Sequence, residues 1–123
     1  MKVKTLILGS ITFAVAAAAI PAYGHHSYAM FDEETEMTLE GTVEEFQWTN
    51  PHSWIHINVP NEQGEDVLWA IETGAPGSLF RAGWRPDTIV SNDKVTFTFH
   101  PLRNGEPGGA LQSMILPDGT VMD

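Results

Sequence analysis

The sequence predicts a small domain built mainly of β-strands, and three observations predict it. Short runs alternate apolar and polar side chains; Gly, Pro, Asn and Asp separate those runs; and only a brief stretch, Leu79 to Ala82, suits a helix. Alternation at a period of two turns one face of each strand to a core and the other to water.

The first strand is expected from Met37 to Trp48. Met37, Leu39, Gly41 and Val43 share one parity and Phe46 and Trp48 the other, so the strand should carry a β-bulge near Glu44 and Glu45 that bends it. Gly41, with no side chain, suits close approach of a neighbouring backbone. Pro51 pushes Asn50 out of helical space, so the four-residue spacing of His52 and His56 is not helical. The second strand, Trp54 to Val59, turns Ile55, Ile57 and Val59 to one face and Trp54, His56 and Asn58 to the other.

The loop Pro60 to Asp66, with Asn61 and Gly64 as turn formers, leads to a third strand at Val67 to Glu72. Ser78 is then a candidate cap for the brief helix and Gly83 its stop. After a turn-rich connection from Trp84 to Asn92, Val95, Phe97 and Phe99 alternate with Lys94, Thr96, Thr98 and His100 in the clearest strand, which ends at Pro101. Arg103 to Gly109 holds an Asn-Gly step and a Gly pair and reads as a loop. The last strand is Ala110 to Leu116, closed by a turn at Pro117-Asp118-Gly119. Three strands, a short helix and two more strands, the first long and bent, predict a small five-stranded antiparallel Greek-key barrel of the OB type. A plain antiparallel sandwich is the alternative that periodicity leaves open.

Ahead of this domain, Lys2 and Lys4 precede an apolar run from Leu6 to Ile20, and small residues follow at Ala22 and Gly24. That is the layout of a cleaved secretory signal peptide. Gly9, Ser10 and Thr12 interrupt the run and Pro21 stops it, short of the roughly 20 residues a membrane span needs, so no stable membrane anchor is expected. The small residues place the cut after Gly24, leaving His25 first; a cut after Ala22 is the alternative. The chain thus divides into a signal peptide at 1–24, an amino-terminal arm at 25–36 and a barrel domain at 37–123, with a periplasmic location for the mature part.

The signal takes its own two lysines with it, so four basic residues (Arg81, Arg85, Lys94, Arg103) remain against all 16 acidic ones. Such a balance argues against nucleic acid, whose binding rests on clustered Lys and Arg neutralising phosphates. There is no cysteine among the 123 residues, which excludes disulfide staples and thiolate metal sites alike. Any transition metal must be taken by imidazole, carboxylate, methionine or the amino terminus.

Five histidines in an acidic exported domain are the main chemical signal. A histidine at the amino terminus chelates one ion through its amine and a ring nitrogen, and a further imidazole completes the three-nitrogen brace that suits copper. His25 with His26 is the first pair to consider, and His26, His52, His56 and His100 are candidates for the third nitrogen. In a regular strand His52 and His56 would lie roughly 13 Å apart, so they share an ion only if the chain bends at His52. His56 and His100 occupy the polar parity of their strands, where they can face a docked arm. The ordinary alternative makes His26 a surface residue, His52 a turn residue, and His56 and His100 exposed strand residues.

Trp48, Trp69 and Trp84 are expected in or beside the core, whereas Trp54 shares parity with His56 and offers a stacking surface on the strand face. Met30, Met37, Met114 and Met122 are possible thioether ligands, although scattered methionines ordinarily pack. The neighbours Glu44 and Glu45, like Glu65 and Asp66, read as solvated carboxylates. No nucleophile elbow, phosphate-cradling loop or Ser-His-Asp order occurs, so no catalytic residue is assigned.

Three segments, His25-His26-Ser27-Tyr28-Ala29-Met30-Phe31-Asp32, Gln47-Trp48-Thr49-Asn50-Pro51-His52-Ser53-Trp54-Ile55 and His100-Pro101-Leu102-Arg103-Asn104-Gly105, together resemble a family of short exported bacterial proteins known only as a domain of unknown function. The resemblance implies a periplasmic, mostly β domain and carries no activity or site residue. The residues themselves favour a non-enzymatic domain that binds a transition metal, copper first, through the mature amino-terminal histidines. The other reading is a module that binds a small molecule or a periplasmic partner protein on the Trp54 and His56 face, without metal; a copper-brace redox enzyme is a third.

Overall fold

The computed structural model describes residues 29–123. The expected signal peptide and its expected cut, with His25 and His26, lie outside the described residues. Six strands and a short helix follow in the order β1 (Met37–Gln47), β2 (Trp54–Pro60), β3 (Asp66–Glu72), α1 (Pro76–Arg81), β4 (Lys94–Pro101), β5 (Gly108–Ile115) and β6 (Val121–Met122).

β1 is the strand on which the barrel turns. It pairs antiparallel with β4 through its first half and with β2 through its second, and the register with β2 slips between Val43 and Glu45. The bulge expected from the parity switch is therefore present. It lets Val43 and Phe46 both face inward, and Gly41 lies so close to β2 that a Cβ there would be 2.6 Å from the Asn58 carbonyl oxygen.

β2 pairs with β3 and β4 with β5, both antiparallel, and the ring closes where β3 meets β5 at Ala70↔Gly108, Ile71↔Gly109 and Glu72↔Ala110. This last pairing is parallel. The expectation of a purely antiparallel barrel is corrected at that seam: β3 reaches β5 through α1 and all of β4, and a connection of that length permits a parallel return. The five-stranded OB-like barrel itself stands, with α1 between β3 and β4 as expected. Open sandwich edges are absent from β1 to β5, each of which pairs with at least two other strands.

Three further details differ from the sequence reading. β5 begins at Gly108, because the glycine pair assigned to a loop makes the parallel contact with β3. A sixth strand follows the 117–119 turn and pairs through Met114↔Met122 and Ile115↔Val121; two residues are too few to display alternation. The helix starts earlier than expected, with Pro76 in its first turn and Ala75 at the cap position without a side-chain cap bond, so Ser78 lies inside the helix and does not cap it. Proline serves there because its fixed φ suits the first turn and its missing N–H would have had no helical partner. Gly83, at φ +95, follows the helix end.

Inside the barrel, Val43, Ile55, Ile57, Ile71, Val95, Phe97, Phe99 and Met114 form the core. Leu79 of α1 with Trp84 and Ile89 from the following connection joins the same cluster. Phe97 and Phe99 stack at 5.2 Å, and Trp69 meets Phe99 edge-on at 5.4 Å. Trp48 and Trp69 pack on the core from its edge and Trp84 lies within it, as anticipated. Met114 is wholly buried and Met37 and Met122 rest against the core, so these three methionines pack.

Candidate functional site

One end of the barrel carries a cleft of about 480 Å³ whose lining includes Phe31, Glu33, His52, Glu72, Ser78 and His100. Strand register explains it. His100 on β4 faces Ala110 on β5, Ala110 faces Glu72 on β3, and Glu72 faces Trp54 on β2. Directly paired residues point to the same side of a sheet, so this row lies on the outer face. Neighbouring strands are about 4.8 Å apart, and Ala110, with only a methyl group, leaves a groove between the longer side chains of Glu72 and His100.

The turn before β2 brings His52 to this groove. Its Asn50–Pro51 peptide is cis. Ser53, fully buried, ties the turn to the start of the α1 loop: its N–H donates to the Gly74 carbonyl (2.9 Å) and its own carbonyl accepts from the Thr73 N–H (2.9 Å). Thr49 Oγ1 donates to the His52 carbonyl at 2.9 Å. With its backbone held on both sides, His52 sets Nδ1 against a carboxylate oxygen of Glu72.

The arm closes the other wall. Asp32 N–H donates to the Pro101 carbonyl (2.8 Å), and Phe31, buried, bridges to Leu102. Arg103 holds the preceding residues, its backbone N–H donating to the Met30 carbonyl (2.9 Å) and its Nε–H to that of Ala29 (3.1 Å). The Asp32 carboxylate accepts from Thr35 Oγ1 (2.8 Å) and from the Glu34 N–H (3.2 Å). These bonds, with Arg103 and His100 nearby, hold the Asp32 carboxyl below the ordinary carboxylate value. The turn so formed points the Thr35 carbonyl at His100, whose Nδ1 lies 2.8 Å away.

Of the five candidate histidines, His52 and His100 therefore line one cleft. His56 lies apart on the outer face, half-buried, with Nδ1 3.8 Å from Glu45 Oε2. His100 faces the arm as expected, whereas His56 faces the β1 bulge. Trp54 is half-buried in the same row as Glu72 and does not line the cleft. Among the described residues no three His, Asp or Glu side chains converge as a complete metal cage.

Glu72, Glu33 and the Thr35 carbonyl were not anticipated as site groups. Glu72 reads in the sequence as the polar end of a strand, and its neighbours are set by the parallel seam.

The class defined by this architecture is an OB-like barrel domain with a histidine-bearing cleft at one end. The family of unknown function DUF6152 matches residues 14–112, and the chain belongs to it. No curated protein matches. Among solved structures, the chain is similar to two crystal structures of the mitochondrial single-stranded DNA binding protein Rim1 from S. cerevisiae, both of one crystal form and one of them selenomethionine-labelled. Identity is 11% in both; TM-scores are 0.48 and 0.45, with 67% of this chain and 93% or 92% of the other covered. No helix among the described residues is long and apolar enough to cross a membrane.

Proposed function

We propose that this protein is a small exported, non-enzymatic metal-binding domain, with copper as the metal and the mature amino-terminal histidine as principal ligand. The observation that supports this reading is the course of the arm. Phe31 and Glu33 line the same cleft as His52 and His100, and Arg103 holds Ala29 and Met30 beside it. His26 precedes Ala29 by three residues, a reach of at most about 10 Å in extended chain. An amine and imidazole on His25 provide two nitrogens, and His52 or His100 provides the third. Imidazole and amine nitrogens suit Cu(II), and the lack of cysteine leaves no competing thiolate.

The test is Cu(II) titration of the exported protein, followed by intact mass and electron paramagnetic resonance. One equivalent should bind with several nitrogen ligands, and His25→Ala, or a residue added before His25, should weaken binding far more than His100→Ala. Equal affinity in wild type and His25→Ala would remove the amino terminus from the site and favour the Trp54 and His56 face as a binding surface for another ligand.

A further inference from the structure

The geometry points to a second property of the cleft: His52 and His100 form a two-imidazole half-site for a divalent ion of the borderline class, Zn(II) or Cu(II), with Glu72 as the residue that positions His52. This proposal uses no residue before Phe31 and so does not depend on where the chain is cut.

The argument rests on which ring nitrogen is already engaged. A carbonyl oxygen only accepts hydrogen bonds, so the 2.8 Å contact between His100 Nδ1 and the Thr35 carbonyl requires the proton on Nδ1. The Glu72 carboxylate is likewise an acceptor, and its contact with His52 Nδ1 places that proton on Nδ1 as well. In the neutral form each imidazole therefore keeps its lone pair on Nε2. Metal-bound histidines are characteristically arranged in this way, one ring nitrogen donating to a carboxylate or backbone carbonyl while the other takes the ion.

Both imidazoles belong to one cleft. Glu72 and His100 flank Ala110 on adjacent strands, which sets their Cα atoms roughly 10 Å apart by strand spacing. His52, held against Glu72, and His100 on β4 thus line one cleft together with the Ala110 methyl group. Glu72 is engaged with Nδ1, on the side of the ring away from Nε2, and acts behind the ligand. Two imidazoles leave the remaining coordination positions to water. His56 has a carboxylate near its Nδ1 too but does not line the cleft, so it serves as the internal control.

The experiment uses the exported chain carrying His25→Ala and His26→Ala, labelled with nitrogen-15, and reads the imidazole nitrogens by long-range proton–nitrogen NMR. Before metal is added, His52 and His100 should both show the Nδ1–H tautomer. Addition of Zn(II) should shift their Nε2 resonances together and leave those of His56 in place. Glu72→Gln, whose amide oxygen still accepts from Nδ1, should preserve the tautomer, whereas Glu72→Ala should release it and weaken Zn(II) binding about 10–100-fold. An Nε2–H tautomer at either cleft histidine, or no Nε2 response at millimolar Zn(II), overturns the proposal. Copper bound at the amino terminus of the wild type with a silent cleft would overturn the half-site and leave the amino-terminal reading intact. A cleft that responds while His25→Ala costs no copper affinity would support the half-site and overturn the amino-terminal reading.

Discussion

Gly41→Ala should destabilise the barrel by about 1–2 kcal/mol, because the new methyl group has no space at the closest approach of β1 to β2. A Cβ there would lie 2.6 Å from the Asn58 carbonyl oxygen, 2.6 Å from Ile57 Cγ2 and 3.0 Å from Val59 Cγ2. Non-bonded carbon atoms ordinarily rest about 3.5–4.0 Å apart. Neither of the two nearest atoms yields easily: one is backbone of the paired strand, and the other belongs to a side chain with 0% exposure. β1 must therefore shift off β2 by several tenths of an ångström or more, and overpacking of this kind costs about 1–3 kcal/mol. Replacing glycine offsets about 0.4–1 kcal/mol of that, since alanine has fewer unfolded conformations to lose. At about 4–8 °C per kcal/mol for a domain of this size, the thermal midpoint read by circular dichroism should fall by roughly 4–16 °C. A midpoint at or above that of the wild type would refute the close-approach argument.

Phe99→Ala removes a ring with 0% exposure that touches Phe97 and Trp69; urea unfolding should show a loss of about 3–5 kcal/mol, and a loss below about 1 kcal/mol would mean that the barrel collapses around the gap. Asp32 is lowered chiefly by its bond from Thr35, so its contribution to arm docking should be complete above the ordinary carboxylate value and vanish as pH falls through the lowered one. NMR of the Thr35 amide should show this acid step in wild type and not in Asp32→Asn, which keeps the turn but does not titrate; a step in wild type near neutral pH would contradict the assignment. The barrel domain should not shift single-stranded DNA or RNA in a gel at physiological salt. Its basic residues are few, and Arg85, stacked 3.8 Å over Phe80, and Arg103, bonded to Ala29, are already engaged within the molecule; micromolar binding would show that charge balance is a poor guide here.

Alternation in the sequence determined which residues face the core, because a strand's side chains must point to opposite sides in turn. The parity switch between Val43 and Phe46 likewise located the bulge, and the missing side chain at Gly41 its crowded neighbourhood. Charge and the absence of cysteine restricted the chemistry to nitrogen, oxygen and thioether donors. Periodicity, however, reports a face and never a neighbour. The parallel pairing of β3 with β5 was decided by tertiary closure, and with it the row His100, Ala110, Glu72. So was the meeting of His52 with Glu72, since it needs the turn at Ser53 pinned to Thr73 and Gly74 by backbone bonds that any residue but proline can make. The histidines were visible as donors in the sequence; which of them share a cleft, and which nitrogen each leaves free, followed only from the closed barrel, where residues distant in the chain become adjacent across strands about 4.8 Å apart.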